Sequence, residues 1–323
     1  MILTQCAVCA TDLGLTRGKK CGRCSTRYCG PECQVQHWKE GGHDQLCKKI
    51  KKAGGAEAYN ANKKFAEAVA VAAEACADDT KGQTCYICTE AVHRRTGEGL
   101  VRGCACGDRD GVASGCTGVA HVSCLAEQAK ILVAEAQENN LGSKVFNERW
   151  RRWDTCGLCE QDYHGVVACA LGWACWKAYV GRPETDNARF GGMRVLGNGL
   201  FTASHYEDAL PVQGAELSML QRRGASERDM LAVQSNLAST YGKLGQSEPA
   251  LQLKRDVYSG YLKLYGEEHK ETLIAAFNYV LTLGDVERWE DAKALMRKTI
   301  PVARRALGAV SYTHLTLPTK RIV

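Results

Sequence analysis

Eight residues with zinc-ligand chemistry, Cys6, Cys9, Cys21, Cys24, Cys29, Cys33, His43 and Cys47, fall within the first 47 positions. They form two Cys-x2-Cys pairs, a Cys-x3-Cys pair and a His-x3-Cys pair, eight soft or borderline donors for two tetrahedral sites. Too few apolar residues separate them to build a core, and a segment this short lies below the size that folds on burial alone. Metal must then supply most of its folding free energy, about 10–16 kcal/mol per structural zinc, and without zinc the segment is expected to be unfolded.

The residues around these ligands are CAVC at 6–9, CGRC at 21–24 and YCGPEC at 28–33, followed by Gln34, His37 and Trp38 before His43 and Cys47. They resemble a MYND zinc finger. The resemblance implies interleaved pairs, with Cys6, Cys9, Cys29 and Cys33 on one zinc and Cys21, Cys24, His43 and Cys47 on the other. It also implies that Gln34 and Trp38 border a groove for proline-containing peptides, packing on the small finger being the alternative for Trp38. Gly41 and Gly42 lengthen the interval from Cys33 to His43 beyond the family's usual spacing. His37 is therefore a second candidate ligand, against a plain helix-surface role.

At 323 residues the chain is long enough for two or three units. Eighteen cysteines behind a start, MILTQC, with neither a basic nor an apolar stretch predict a reducing, intracellular setting, cytoplasmic or nuclear, and metal rather than disulfides. The most apolar run, Gly165 to Gly181, is interrupted by Lys177 and is shorter than the roughly 20 residues a spanning helix needs, so a buried helix is expected and no membrane partner. The formal charge of +6 invites a nucleic-acid reading, but it counts every cysteine as neutral. Fourteen zinc-bound thiolates with four Zn²⁺ would bring the net charge to about zero. The basic clusters at Lys48, Lys49, Lys51 and Lys52, and at Arg149, Arg151 and Arg152, then read as solvated helix faces, with no groove-reading element beside them.

From Ala53 to about Ala77 the composition shifts to Ala, Glu and Lys with a weak apolar stripe of Phe65, Val69 and Val71, as in a linker helix ending at a buried Cys76. A second ligand cluster follows: Cys85 and Cys88, Cys104 and Cys106, Cys116, His121 and Cys124, then Cys156 and Cys159. CYIC, CAC, HVSC and CGLC in this order resemble a RING-CH (RING-variant) finger, which implies two further zincs on Cys85, Cys88, Cys104, Cys106, His121, Cys124, Cys156 and Cys159. The spacing departs from that family twice. Fourteen residues separate Cys106 from His121, which leaves Cys116 competing with the favoured Cys106. Thirty-one separate Cys124 from Cys156, where Leu125, Ala129, Leu132, Val133 and Ala136 at helical spacing predict an added helix and loop. Such intervals are tolerable, because closure entropy rises by only about 0.6 kcal/mol per doubling of length.

If the RING-CH resemblance carries function, the module would recruit a ubiquitin-conjugating enzyme through Ile87 and Trp150 or Trp153. Two positions speak against it. Gly157 stands where a proline often follows the seventh ligand, and Glu160 where a basic residue often follows the eighth. Cys169 and Cys175, with Trp173 and Trp176, have no metal spacing and read as buried thiols.

The last third repeats. Asn236, Ala250, Leu253, Arg255 and Gly266 recur 42 residues later as Asn278, Ala292, Leu295, Arg297 and Gly308, Gly224 precedes Gly266 by the same step, and HYEDAL at 205–210 echoes RWEDAK at 288–293 with a slip of one. That period signals a helical array of about three pairs. Leu237, Tyr241 and Leu244 line one helix of a unit, Ala250, Leu253, Val257 and Tyr261 the next, and Gly245 and Pro249 mark the turn. The stretches NLASTYGKLGQSEPALQLKRDV, GEEHKETL and EDAKALMRKTIPVARRALG resemble the long-helix tetratricopeptide (TPR) repeats of kinesin light chains, although no heptad coiled coil precedes them. The resemblance implies a concave groove for an extended peptide, with Asn236 and Asn278 among its contacts; a helix-surface or capping role is the alternative. After Gly308 the register breaks, and SYTHLTLPT resembles a translated sequencing adapter, so an unstructured tail in place of the natural C-terminus is expected.

The expected fold is mainly α, with small irregular zinc-stabilised modules followed by a helical solenoid: a finger at 1–50, a helical linker at 51–80, the middle module at 81–182, the array at 186–308 and the tail at 309–323. No GxSxG, HExxH or Walker loop is present, and ligand thiolates are poor nucleophiles. Two functions remain. One is a zinc-binding, multivalent protein–protein interaction adaptor, in which finger and groove each hold a peptide; the other is a RING-type ubiquitin ligase with substrate selected by the flanking modules.

Overall fold

A computed structural model describes residues 5–11, 13–14, 17–106 and 118–316, with the backbone alone for 307–316. The chain divides into two compact units, Met1–Ala215 and Glu216–Val323.

The first unit opens with a two-stranded antiparallel hairpin, β1 (Lys19–Lys20) and β2 (Arg27–Tyr28), in which Lys19 pairs with Tyr28 and Lys20 with Arg27. Two short helices follow, α1 (Pro31–Lys39) and α2 (His43–Lys52). Pro31 at the start of α1 gives up an N–H that would have no partner in the first turn. The apolar core here is small: Leu13, Tyr28, Ile50 and Ala56 among buried cysteines. The paired glycines between α1 and α2 have separate reasons. A Cβ on Gly41 would fall 2.3 Å from the His37 ring, and Gly42 takes a left-handed φ of 68° to start α2.

Helix α3 (Ala56–Ala75) is more than a linker. Ala61 and Ala72 are fully buried, and Val69 and Ala72 share a core with Val167, Ala170 and Leu171 of α6 (Gly165–Tyr179). Alanine carries this packing, so a search for large apolar residues underestimates it. As expected of the apolar run, α6 is a buried helix, with Leu171, Cys175 and Trp176 at or below 1 % exposure. Between α3 and α6 lie α4 (Val122–Glu138), α5 (Gly142–Trp150) and a 3₁₀ turn (Arg151–Trp153). Leu125, Ala129, Val133 and Ala136 face inward along α4 as their spacing predicts, but the rest of the interval is a second helix rather than a loop.

Helix α7 (Asn187–Thr202) starts on an Asp186 cap that accepts from the N–H groups of Ala188 and Arg189. It lies very close to α6. A Cβ on Gly199 would fall 2.5 Å from the Ala168 carbonyl oxygen, and one on Gly172 of α6 would fall 3.0 Å from the Leu196 Cα. A partly buried ion pair at 3.1 Å joins Arg189 of α7 to Glu57 of α3. Helix α8 (Tyr206–Arg222) contains the boundary between the two units.

The second unit holds α9 (Glu227–Lys243), α10 (Ser247–Tyr265), α11 (Lys270–Asp285) and α12 (Trp289–Thr316), each packed on the next. Caps start α9 and α11: the Ser226 hydroxyl accepts from the Asp229 N–H, and His269 Nδ1 accepts from that of Glu271. The repeat appears in detail. The Thr240 hydroxyl donates to the Asn236 carbonyl at 3.1 Å, and the Thr282 hydroxyl does the same to Asn278 at 3.0 Å. Ser204, Gly245 and Glu287 are left-handed at the end of α7, α9 and α11, each followed by an N–H that returns to a carbonyl five residues back. Leu251, Val280, Leu283, Ala292 and Met296 fill one interlayer core. The backbone of α12 continues through Thr316, past the Gly308 where helical period was expected to stop; the rest of the expected tail lies outside the described residues.

Candidate metal centres

The four Cys-x2-Cys pairs adopt one local structure. The first cysteine of each pair donates its N–H to the carbonyl five residues on, Cys6 to Thr11, Cys21 to Thr26, Cys85 to Glu90 and Cys156 to Gln161, at 2.8–3.0 Å. Its carbonyl accepts from the residue four ahead, which turns left-handed in every case: Ala10 (φ 57°), Ser25 (60°), Thr89 (63°) and Glu160 (58°). The chain thus doubles back on itself within six residues and presents both sulfurs on one side. In the middle module the N–H groups of Ile87 and Leu158 point at the Sγ atoms of Cys85 and Cys156, both at 3.4 Å.

Each pair meets a distant one. Among the described residues, four groups bring their ligand atoms within 4.8 Å of one another: Cys6, Cys9, Cys29 and Cys33; Cys21, Cys24, His43 and Cys47; Cys85, Cys88, His121 and Cys124; and Cys104, Cys106, Cys156 and Cys159. Both modules are therefore interleaved. His121 and Cys124 are brought in by the start of α4, and the returning chain is held by backbone pairing of Val101 with Ala120. Gly118 passes so close to the fourth group that a Cβ there would fall 2.9 Å from the Cys104 Sγ. Cys116, the competitor to Cys106, lies outside the described residues. His37, the second candidate, stands outside these groups, its Nδ1 3.0 Å from the Tyr28 hydroxyl.

The donor sets fit zinc. Thiolates about 2.3 Å from a tetrahedral zinc stand about 3.8 Å apart. The separations here are 3.5 Å for Cys9–Cys29 and Cys29–Cys33, 3.9 Å for Cys21–Cys47 and 3.7 Å for Cys106–Cys156. Those are tetrahedral edges and far from the roughly 2.05 Å of a disulfide, in keeping with free thiols throughout the described cysteines. His43 turns Nε2 towards Cys24 at 3.4 Å, and His121 turns Nδ1 towards Cys88 at 3.3 Å. Thiolate charge is already favoured at some positions. The Thr11 hydroxyl holds the Cys9 thiol down at about 6, and Cys104 holds Cys156 down at about 4 while being pushed up itself. Cys76, Cys169 and Cys175 are buried outside these groups, and burial pushes the Cys169 thiol up to about 11.

The other candidate residues separate by exposure. On α1, Trp38 is 44 % exposed, Gln34 is half-buried, and Val35, which the sequence reading passed over, is 49 % exposed. Trp38 also covers the second group, its ring centroid 5.7 Å from that of His43. Asn236 and Asn278 are half-buried at equivalent places on α9 and α11. The candidate conjugating-enzyme contacts differ in exposure. Ile87 is exposed, but Trp153 is fully buried, and Trp150 packs between Phe146 and Tyr179 against Gly191, where a Cβ would fall 2.4 Å from its ring. The tryptophans belong to the core that joins α5 to α6 and α7.

Comparison with known families separates the modules. Residues 6–47 match the MYND finger family and residues 230–271 match the tetratricopeptide repeat family. The chain carries a MYND finger and TPR repeats. The TPR match spans 42 residues, one period of the sequence repeat. No curated protein matches the chain. Among solved structures it is similar to BtubC (BKLC) from P. vanneervenii, at 14 % identity over 62 % of this chain and 90 % of that one with a TM-score of 0.42. It is also similar to the nearly identical TPR-like repeats of a putative kinesin light chain from Podosopora anserina, at 16 % identity over 62 % and 95 % with a TM-score of 0.38. The MYND finger implies zinc for its two groups, and the cysteine groups of the middle module have the same chemistry. No described helix is long and apolar enough to cross a membrane.

Proposed function

We propose that this chain is a zinc-stabilised, multivalent adaptor that works inside the cell, its MYND finger and its TPR repeats each holding a segment of a partner protein. The observation that carries this is the pairing of two protein-interaction modules in one chain, at 6–47 and 230–271. Four Zn²⁺ complete the reading, two in the finger and two in the middle module, held by the sixteen ligands named above. When bound they would offset more than half of the charge on the gathered thiolates and supply folding energy that these small cores lack.

On the finger, Trp38, Val35 and Gln34 form the contact for a peptide, an aromatic and an aliphatic surface beside an amide, suited to a proline-containing segment. On the repeats, Asn236 and Asn278 lie one period apart in sequence and are the contacts proposed for the backbone of an extended peptide. The middle module has a structural part: its fully buried Trp153 and packed Trp150 weld the zinc groups to α6 and α7.

A peptide array probed with the zinc-loaded chain and with the Trp38→Ala and Asn236→Ala variants tests both surfaces. Loss of distinct sets of peptides by the two variants is the expected result. Unchanged binding by both would remove the proposed contacts.

A further inference from the structure

The four metal groups differ in how far solvent reaches them. Cys21, Cys24, His43 and Cys47 are all buried, and each middle group leaves one cysteine half-buried, Cys88 or Cys159. In the first finger group Cys9 and Cys29 are exposed, Cys33 is half-buried and only Cys6 is buried. The cause is local. The second group lies under the rings of Tyr28, His37 and Trp38, whose centroids are 4.8–6.1 Å from that of His43. Among the described residues flanking the first group, Ala7, Ala10, Thr11 and Gly30 are short.

We infer that Cys9 and Cys29 form an oxidation site, at which a peroxide joins the two sulfurs and empties the first finger group of its metal while the other three groups hold. This rests on the zinc loading and finger contact proposed above. The Sγ atoms are 3.5 Å apart, so a disulfide needs a small approach and no rearrangement of the fold. One thiolate attacks the peroxide O–O bond and becomes a sulfenic acid, releasing hydroxide. The second thiolate attacks that sulfur, forms the S–S bond and expels a second hydroxide. Two electrons pass from sulfur to oxygen, two protons come from solvent, and two waters leave. Of the four residues that would hold the zinc, only Cys6 and Cys33 would then remain as ligands.

The consequence reaches the peptide contact. Cys29 and Cys33 flank the start of α1, Cys33 in its first turn, and the same helix carries Gln34, Val35 and Trp38. Metal at the first group ties that turn to the Cys6–Cys9 knuckle. After oxidation only Cys29 remains tied, outside the helix, and the contact surface loses its anchor.

The test uses the full zinc-loaded chain and one equivalent of hydrogen peroxide, with released zinc read by a metal-sensitive dye and cysteine states read by alkylation and peptide mass mapping. The first zinc to leave should appear together with a Cys9–Cys29 cross-linked peptide, with the remaining ligand cysteines still reduced. A Cys9→His variant, which keeps a ligand and removes one sulfur, should release zinc about tenfold more slowly. Should that variant fold poorly, the mapping of the unaltered chain decides alone. A first cross-link within any other group, or zinc leaving while Cys9 and Cys29 stay reduced, would overturn the inference. A Cys9–Cys29 cross-link with no zinc released would support the oxidation site and instead overturn the metal loading of this group.

Discussion

Glu287 stands at the left-handed corner that Gly245 fills one repeat earlier, with φ 60° against 70°. In both, the next N–H closes the turn at 2.9 Å, Arg288 to the Leu283 carbonyl and Gln246 to that of Tyr241. A side chain in this conformation costs about 1 kcal/mol that glycine avoids. Glu287→Gly is therefore expected to stabilise the repeats by about 0.5–1 kcal/mol despite glycine's freedom in the unfolded chain. Denaturant titration read by circular dichroism checks it, and a lower midpoint would show the corner to be held by something other than backbone preference.

Lys254 of α10 is buried against α9, its Nζ 2.8 Å from the Ser239 hydroxyl and 3.3 Å from the Ser235 carbonyl, and desolvation holds its pKa down at about 8 from an ordinary 10.5. The unfolded chain binds this proton more tightly than the folded one, so stability rises with pH between about 8 and 10.5 and the full cost of burying the charge is present below 8. That cost is on the order of 2–3 kcal/mol. Lys254→Met should flatten this part of the stability–pH curve relative to the unaltered chain and raise stability at pH 7, since the Ser239 hydroxyl keeps its bond to the Ser235 carbonyl at 3.0 Å. Parallel curves for the two proteins would refute the assignment.

Gly199 and Gly214 make a matched pair. A Cβ on Gly199 would meet the Ala168 carbonyl at 2.5 Å, whereas one on Gly214 of α8 meets nothing within 4 Å. Gly199→Ala should cost about 2–3 kcal/mol by forcing α7 off α6, and Gly214→Ala should be neutral or stabilise by up to about 1 kcal/mol. Thermal unfolding of the two variants side by side separates a steric role from mere helix propensity.

Metal analysis of the folded chain is expected to find four zincs, and Cys156→Ser to remove one. Because Cys156 closes the fourth group with Cys104 and Cys106, its loss should also expose the Thr155–Asp162 bridge and the start of α6 to hydrogen exchange, while the finger stays protected. Two zincs in the unaltered chain would mean that the middle groups are thiol clusters without metal.

The gathering of the cysteines and histidines into four groups was legible because their spacing is itself the chemistry, and Thr240 and Thr282 repeat what the 42-residue period announced. Burial was not. Trp153 looked like a surface contact because a sequence does not show whether its neighbours are small enough to enclose it, and here Ala126 and Ala129 of α4 and Ala174 of α6, which share its core, are. Alanine also hid the packing of α3. The left-handed corners at Ala10, Ser25, Thr89 and Glu160 carry no glycine to announce them, so Glu160 was weighed only as a missing basic residue when its place is fixed by the turn behind Cys156 and Cys159.

The four knuckles have one further consequence, for the order in which the protein is made. Each is a self-contained half-site, and any two could close around a single ion with four sulfurs. Cys6–Cys9 and Cys21–Cys24 both precede Cys29 and His43 in the chain and so leave the ribosome ahead of them. A zinc captured at that stage would find only these two halves, and reaching the native pairing would then require an exchange of that first partner for a later one.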